Sequence, residues 1–149
     1  MKNRKSSREK LERVQEAKVE ETSKGKMLIP KPLDVDALMR RVEKGKLVTA
    51  SRIRSKLAKD HGADYSCPMT TGIFIRVAAE AAEEDRKAGR ENITPYWRVI
   101  RDDGSLNEKL PGGTDAQTAY LKKEGHVIIQ AQGKKLPKVK DFEKVLQKL

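Results

Sequence analysis

Apolar residues in this chain recur mainly at helical spacing, in blocks punctuated by glycine and proline. The first block places Val35, Leu38, Met39 and Val42 at i, i+3, i+4 and i+7, with Asp34 as candidate cap and Gly45 as stop. A second helix is expected over 51–59, capped by Thr49 or Ser51, with Ile53, Leu57 and Ala58 inward and His61-Gly62 ending it. Cys67-Pro68 opens the third and longest helix, because proline at the first helical position forfeits no hydrogen bond. Ile73, Val77 and Ala81 lie one turn apart there, with Phe74 and Ala78 beside them, so this stripe is expected to face the core. Thr70, Thr71, Arg76 and Glu80 are expected outward, and Gly89 ends the helix. Residues 97–101 read as β-like, Asp102-Asp103-Gly104-Ser105 as a turn, and 127–130 as a last short strand. Between them Thr114 or Asp115 caps a fourth helix running through Leu121 to Glu124.

Outside these blocks the pattern fades. Residues 1–26 are charged and almost free of large apolar residues, so they are expected as a flexible N-terminal tail, ordered only on binding. Leu11 and Val14 leave room for a short frayed helix there. The domain is expected over 27–133, followed by a basic C-terminal tail over 134–149 in which Phe142, Val145, Leu146 and Leu149 allow a short amphipathic helix. Three helices, a β-turn segment and a closing helix predict a mostly α fold with a small β element, arranged as a winged helix around a helix-turn-helix.

Charge adds a partner class. The chain carries 33 Lys and Arg against 22 Asp and Glu, a net +11. The two expected tails account for +4 each, so the middle carries only +3. Such basic ends suit a polyanion, and they also suit simple solubility. Within the domain, Arg52, Arg54 and Lys56 put cations on the second helix, where they can meet phosphates; Thr70, Thr71 and Arg76 open the third helix, whose free N–H groups suit the same anion. No apolar run approaches a membrane span, so no membrane partner is expected. The N-terminus lacks an apolar signal core, and a cytoplasmic, nucleoid-associated monomer is expected. A single cysteine and two histidines make neither a disulfide framework nor a zinc site, and no metal or cofactor is expected.

One segment narrows the reading further. Over 94–126 the order Pro95, Arg98-Val99, Gly104, Gly112-Gly113 and Glu124-Gly125 resembles the active-site segment of the O6-alkylguanine-DNA alkyltransferases, with one extra residue before the glycine pair. Gly45-Lys46-Leu47-Val48-Thr49 is similar to that family's Gly-Lys-Val-Val-Ser opening, and the resemblance covers about 35–128. It implies the winged-helix C-terminal domain of those proteins, in which the third helix enters the DNA minor groove and a cysteine, activated through histidine and glutamate, accepts the alkyl group.

The chemistry is missing from the frame. Tyr96 stands at the cysteine position and Trp97 at the histidine position, while Glu124 stays in register with the relay carboxylate. A phenol is mostly protonated at neutral pH, and an indole cannot accept a proton. The family's arginine finger falls on Met69 or Pro68, and its phosphate-rotating tyrosine on Ala50. The resemblance therefore points to the alkyltransferase-like proteins, which bind O6-alkylguanine without repairing it and hand it to nucleotide excision repair. It implies a non-catalytic protein that binds double-stranded DNA, alkylated DNA included, with Arg98 joining the cations above. Tyr96, Trp97, Gly112 and Gly113 would form the lesion pocket, the aromatic pair stacking on an extruded base; a core anchor is the competing role for Trp97. Two alternatives stay open: a winged-helix DNA-binding protein without lesion preference, and a methylated-DNA–protein-cysteine methyltransferase that uses Cys67, whose place at a helix start lowers a thiol pKa.

Overall fold

The computed structural model describes residues 6–12 and 16–149. Its helices begin where the chain offers proline or a hydroxyl. Pro32 opens α2 (Pro32–Arg40), Thr49 accepts the Arg52 N–H at 3.3 Å to start α3 (Ala50–Asp60), and Pro68 opens α4 (Pro68–Lys87) behind Cys67. Asp34 sits in the first turn of α2 and does not cap it. The last long helix, α5 (Gly113–Lys123), is entered through Gly112 at φ +78°, so backbone conformation does what Thr114 or Asp115 was expected to do.

Short strands tie these helices together. Val48–Thr49 (β3) runs parallel to Val99–Ile100 (β5), which brings the start of α3 beside the Tyr96–Arg98 segment. That segment forms one 3-10 turn before β5, so the strand expected from Trp97 onward begins two residues later. The shared core is lined by Val35, Met39, Leu47, Ile53, Phe74, Ile75, Leu106 and Leu121, all buried.

The stripe on α4 is rotated from the expected one. Phe74, Ile75, Ala78, Ala79, Ala81 and Ala82 are buried, while Ile73 is 42% exposed and Val77 half-buried. Thr71, expected outward, is fully buried, and its hydroxyl donates to the Cys67 carbonyl at 2.8 Å. The alanines explain the shift. They are small enough to let α1 (Ser7–Glu12) and α2 approach closely, so the helix turns its alanine face inward and leaves Ile73 at the rim.

Both ends depart from the tails expected at 1–26 and 134–149. Ser7–Glu12 forms α1, which packs on the acidic half of α4: the N–H groups of Ser7 and Arg8 donate to Glu84 at 2.9 and 3.0 Å, Arg8 pairs with Asp85, and Leu11 is fully buried. Val14 lies outside the described residues. Lys18–Thr22 (β1) and Gly25–Ile29 (β2) form a hairpin whose second strand runs parallel to Tyr65–Ser66 (β4), directly ahead of α4. At the other end Lys138–Val139 (β7) pairs with Ile128–Ile129 (β6), and Phe142–Val145 makes a 3-10 turn whose Phe142 ring covers Gly104. An added Cβ at Gly104 would lie 2.4 Å from that ring, so this turn needs glycine for space as well as for its φ of +88°. Leu11 and Val139 join the core from these ends, with Ala17, Phe142, Val145, Leu146 and Leu149 packed against it. Helix capping by carboxylates and backbone pairing also hold them, and apolar periodicity does not register these.

Candidate functional site

The Pro95–Val99 turn is the centre of a closed polar network. Tyr96 is 1% exposed, and its hydroxyl donates to Glu83 at 2.7 Å. Trp97 lies flat on Tyr120, with centroids 4.2 Å apart and planes 10° from parallel, and meets Tyr96 edge to face. Its indole N–H donates to Glu124 Oε2 at 3.0 Å. The Arg98 guanidinium grips the same carboxylate at 2.7 and 2.9 Å and reaches the Val42 carbonyl at 2.6 Å. From α5, buried Gln117 donates to the carbonyls of Trp97 and Val99, each at 3.0 Å, and accepts the Asn107 N–H at 2.9 Å. Glu124 thus converges on the turn as the register implied, but it holds an indole and a guanidinium.

Electrostatics follow from these partners. Burial opposes ionisation of Glu124, yet the donors from Arg98 and Trp97 outweigh it and keep the carboxyl below its usual range. Glu83 is likewise held low against its own burial, by Arg86, Tyr96 and Tyr120. Tyr96 moves the opposite way. Burial and the adjacent Glu83 carboxylate push its phenol far above the ordinary value, so it stays a protonated donor. Nothing in this turn can act as a nucleophile or take a proton from one at neutral pH.

The expected pocket of Tyr96, Trp97, Gly112 and Gly113 therefore does not form. Tyr96 points into the core, Trp97 packs on Tyr120 and lines a separate opening of about 500 Å³ with Arg40, Pro95 and Arg98, and the glycine pair enters α5, where a Cβ on Gly112 would sit 2.5 Å from that of Ala116. Arg98, expected on DNA, is 13% exposed and committed to Glu124.

A second open cleft lies beside the first turns of α4. It encloses about 340 Å³ between Pro68, Met69, Gly72, Ile73 and Arg76 of the helix and Arg101, Asn107 and Lys109 of the following loop. Among the described residues Arg76 and Lys109 make no ion pair, and Arg101 is exposed opposite Glu108 at 3.5 Å. Of the other expected contacts, Arg52 is exposed and unpaired among the described residues on α3, Arg54 leans on Ser51 and Asp102, and Lys56 bonds Asp60 at 2.8 Å. Thr70 donates its hydroxyl to Cys67 Sγ at 3.2 Å. Burial works against the Cys67 thiolate, but that hydroxyl and the N–H groups of Thr70 and Met69 prevail and lower its pKa. Arg101 and Lys109 escaped the sequence reading because Asp102, Asp103 and Glu108 surround them in the chain and hide their charge.

The helix-rich body with small sheets is consistent with a helix-rich alkyltransferase-like fold. The chain is similar to the crystal structure of S. pombe Atl1 in complex with damaged DNA containing O6-carboxymethylguanine, with a TM-score of 0.52 and 21% sequence identity over 79% of this chain and 94% of that one. At that identity the likeness establishes the fold. No family model matches the chain, and no curated protein matches it at a significant level.

Proposed function

We propose that this protein binds duplex DNA through the cleft beside α4, recognises an O6-alkylated guanine there without removing the alkyl group, and leaves the lesion for other repair proteins. In this reading α2, α3 and α4 form the helical part of a winged helix, with α4 entering a groove and α3 resting on phosphates through Arg52. The observation that carries it is the cleft: an opening of about 340 Å³ rimmed by Arg76, Arg101 and Lys109 on the fold that Atl1 uses in its complex with damaged DNA. The absence of chemistry is supported by Tyr96 and Trp97, whose polar atoms are taken up by Glu83 and Glu124. Binding is tested by fluorescence anisotropy on duplexes with and without one O6-methylguanine, at two salt concentrations, followed by intact-mass measurement of the protein. Tighter, salt-sensitive binding to the lesion with unchanged protein mass is expected. Equal binding to both duplexes reduces the function to general DNA binding, and no binding to either overturns it.

Cys67 supports a second reading, because its lowered thiol directly precedes Pro68 of the cleft. A mass increase by one methyl group that Cys67→Ser abolishes would make the protein a methylated-DNA–protein-cysteine methyltransferase.

A further inference from the structure

The opening beside Trp97 is built around one arginine. Arg40 ends α2 and donates through Nε to Asp36 Oδ2 at 3.0 Å. Asp36 is 5% exposed, and its other oxygen accepts the hydroxyl of buried Thr94 at 2.6 Å. The carboxylate is thus fixed from behind, and it holds the guanidinium by its stem side. Nη1 and Nη2 of Arg40 make no hydrogen bond among the described residues, and the side chain lines the opening of about 500 Å³. A guanidinium anchored at Nε and free at its fork can take an oxyanion through two parallel hydrogen bonds. The other walls narrow the choice. Arg98 also lines the opening, but its nitrogens are committed to Glu124 and the Val42 carbonyl. Glu91 stands exposed on the wall and makes no ion pair among the described residues. A free guanidinium fork beside a free carboxylate suits a ligand with a single negative charge and disfavours a dianion. Ile93, Pro95 and Trp97 supply apolar wall for the rest of the ligand.

We propose that this opening binds a small monocarboxylic acid with an apolar or aromatic body, its carboxylate on the Arg40 fork and its body against Pro95 and Trp97. The volume suits such a molecule, since small-ligand sites span roughly 300–1,000 Å³. Arg40 touches the ligand, while Asp36 and Thr94 are positioning residues that keep the fork aimed outward. The site is independent of the DNA-binding reading, because the opening and the α4 cleft share no lining residue.

The test uses the full chain and the fluorescence of Trp97, the single tryptophan, which lines the opening. A saturable change is expected with phenylacetate and none with phenylacetamide, which has the same body without the charge. Phenyl phosphate should bind more weakly than the carboxylate. Arg40→Gln keeps a donor for Asp36 and should weaken binding roughly tenfold. Arg40→Lys keeps the charge but loses the fork, so it should weaken binding as well. Thr94→Val should weaken binding and Thr94→Ser restore it, as a positioning role requires. Urea midpoints of the variants check that they fold. No response in wild type, an equal response to the amide, or affinity unchanged in both Arg40 variants overturns the site. Tighter binding of phenyl phosphate overturns the carboxylate assignment, and tighter binding of N-acetyl-Gly-Gly-Phe overturns the small acid in favour of a protein C-terminus. Displacement of phenylacetate by an O6-methylguanine duplex overturns the proposal by making the opening part of the nucleic-acid surface. A protein that binds phenylacetate and no duplex overturns the DNA-binding reading and leaves this site standing.

Discussion

Replacing Glu124 by glutamine separates a structural carboxylate from a catalytic relic. Its side chain is 8% exposed and accepts from the Trp97 indole at 3.0 Å and from Arg98 at 2.7 and 2.9 Å, while Arg98 is itself 13% exposed. Removing one charge of a buried pair strands the other, which typically destabilises by about 3–5 kcal/mol. A glutamine keeps one oxygen to accept from the indole or the guanidinium, and Arg98 retains the Val42 carbonyl, so the low end, about 3 kcal/mol, is expected. For a chain of this size that is a fall in Tm of roughly 10 °C. Urea unfolding followed by fluorescence of Trp97, the single tryptophan, reads it directly. The pH dependence has a definite sign. Because the folded-state pKa lies below the ordinary 4.5, the carboxylate stabilises the protein above that value and loses its contribution as pH falls through the folded pKa. The difference between wild type and Glu124→Gln should therefore be full at pH 7 and close in acid. Equal urea midpoints at pH 7, or a difference that persists unchanged into acid, would refute the reasoning.

Two further substitutions address the departures from the sequence reading. Tyr96→Phe removes one of the hydrogen bonds to the Glu83 carboxylate and should destabilise by about 1.5 kcal/mol in thermal unfolding, with duplex affinity unchanged; a large loss of affinity would return Tyr96 to the binding pocket. Leu11→Ala should cost about 3 kcal/mol of stability, because the side chain is fully buried under α4, whereas a flexible tail would give no change in Tm.

The sequence revealed most where a residue has only one plausible local use. Pro68 and Thr49 start helices, His61-Gly62 and Gly89 end them, and Gly104 turns the chain, all close to the positions where their chemistry suggested. It misled where a choice between neighbours depends on partners far along the chain. Ile73 and Phe74 are equally apolar, and only the approach of α1 and α2 to the alanine face decides which is buried. Thr71 looks like a surface donor until Cys67 offers it a carbonyl one turn back. The acidic end of α4 resembles a solvated face, yet Glu83 and Glu84 are the acceptors that organise the aromatic cluster and cap α1. At the site, the resemblance located the turn, and Glu124 converges on it as its register suggested. It did not foresee that Tyr96 turns inward to a carboxylate partner, or that Met69, Arg76 and Lys109 would line a cleft; for Trp97, the competing role of core anchor matches its packing on Tyr120.

The central claim is that DNA lies against the cleft of α4 and not against the aromatic turn. The salt dependence of binding to an O6-methylguanine duplex, measured for wild type and for Arg76→Ala combined with Lys109→Ala, tests it most directly. Loss of two phosphate contacts should lower the slope of log K against log salt by about 1.8 and weaken binding at every salt concentration below about 0.2 M. A double variant with the affinity and slope of wild type would contradict the account.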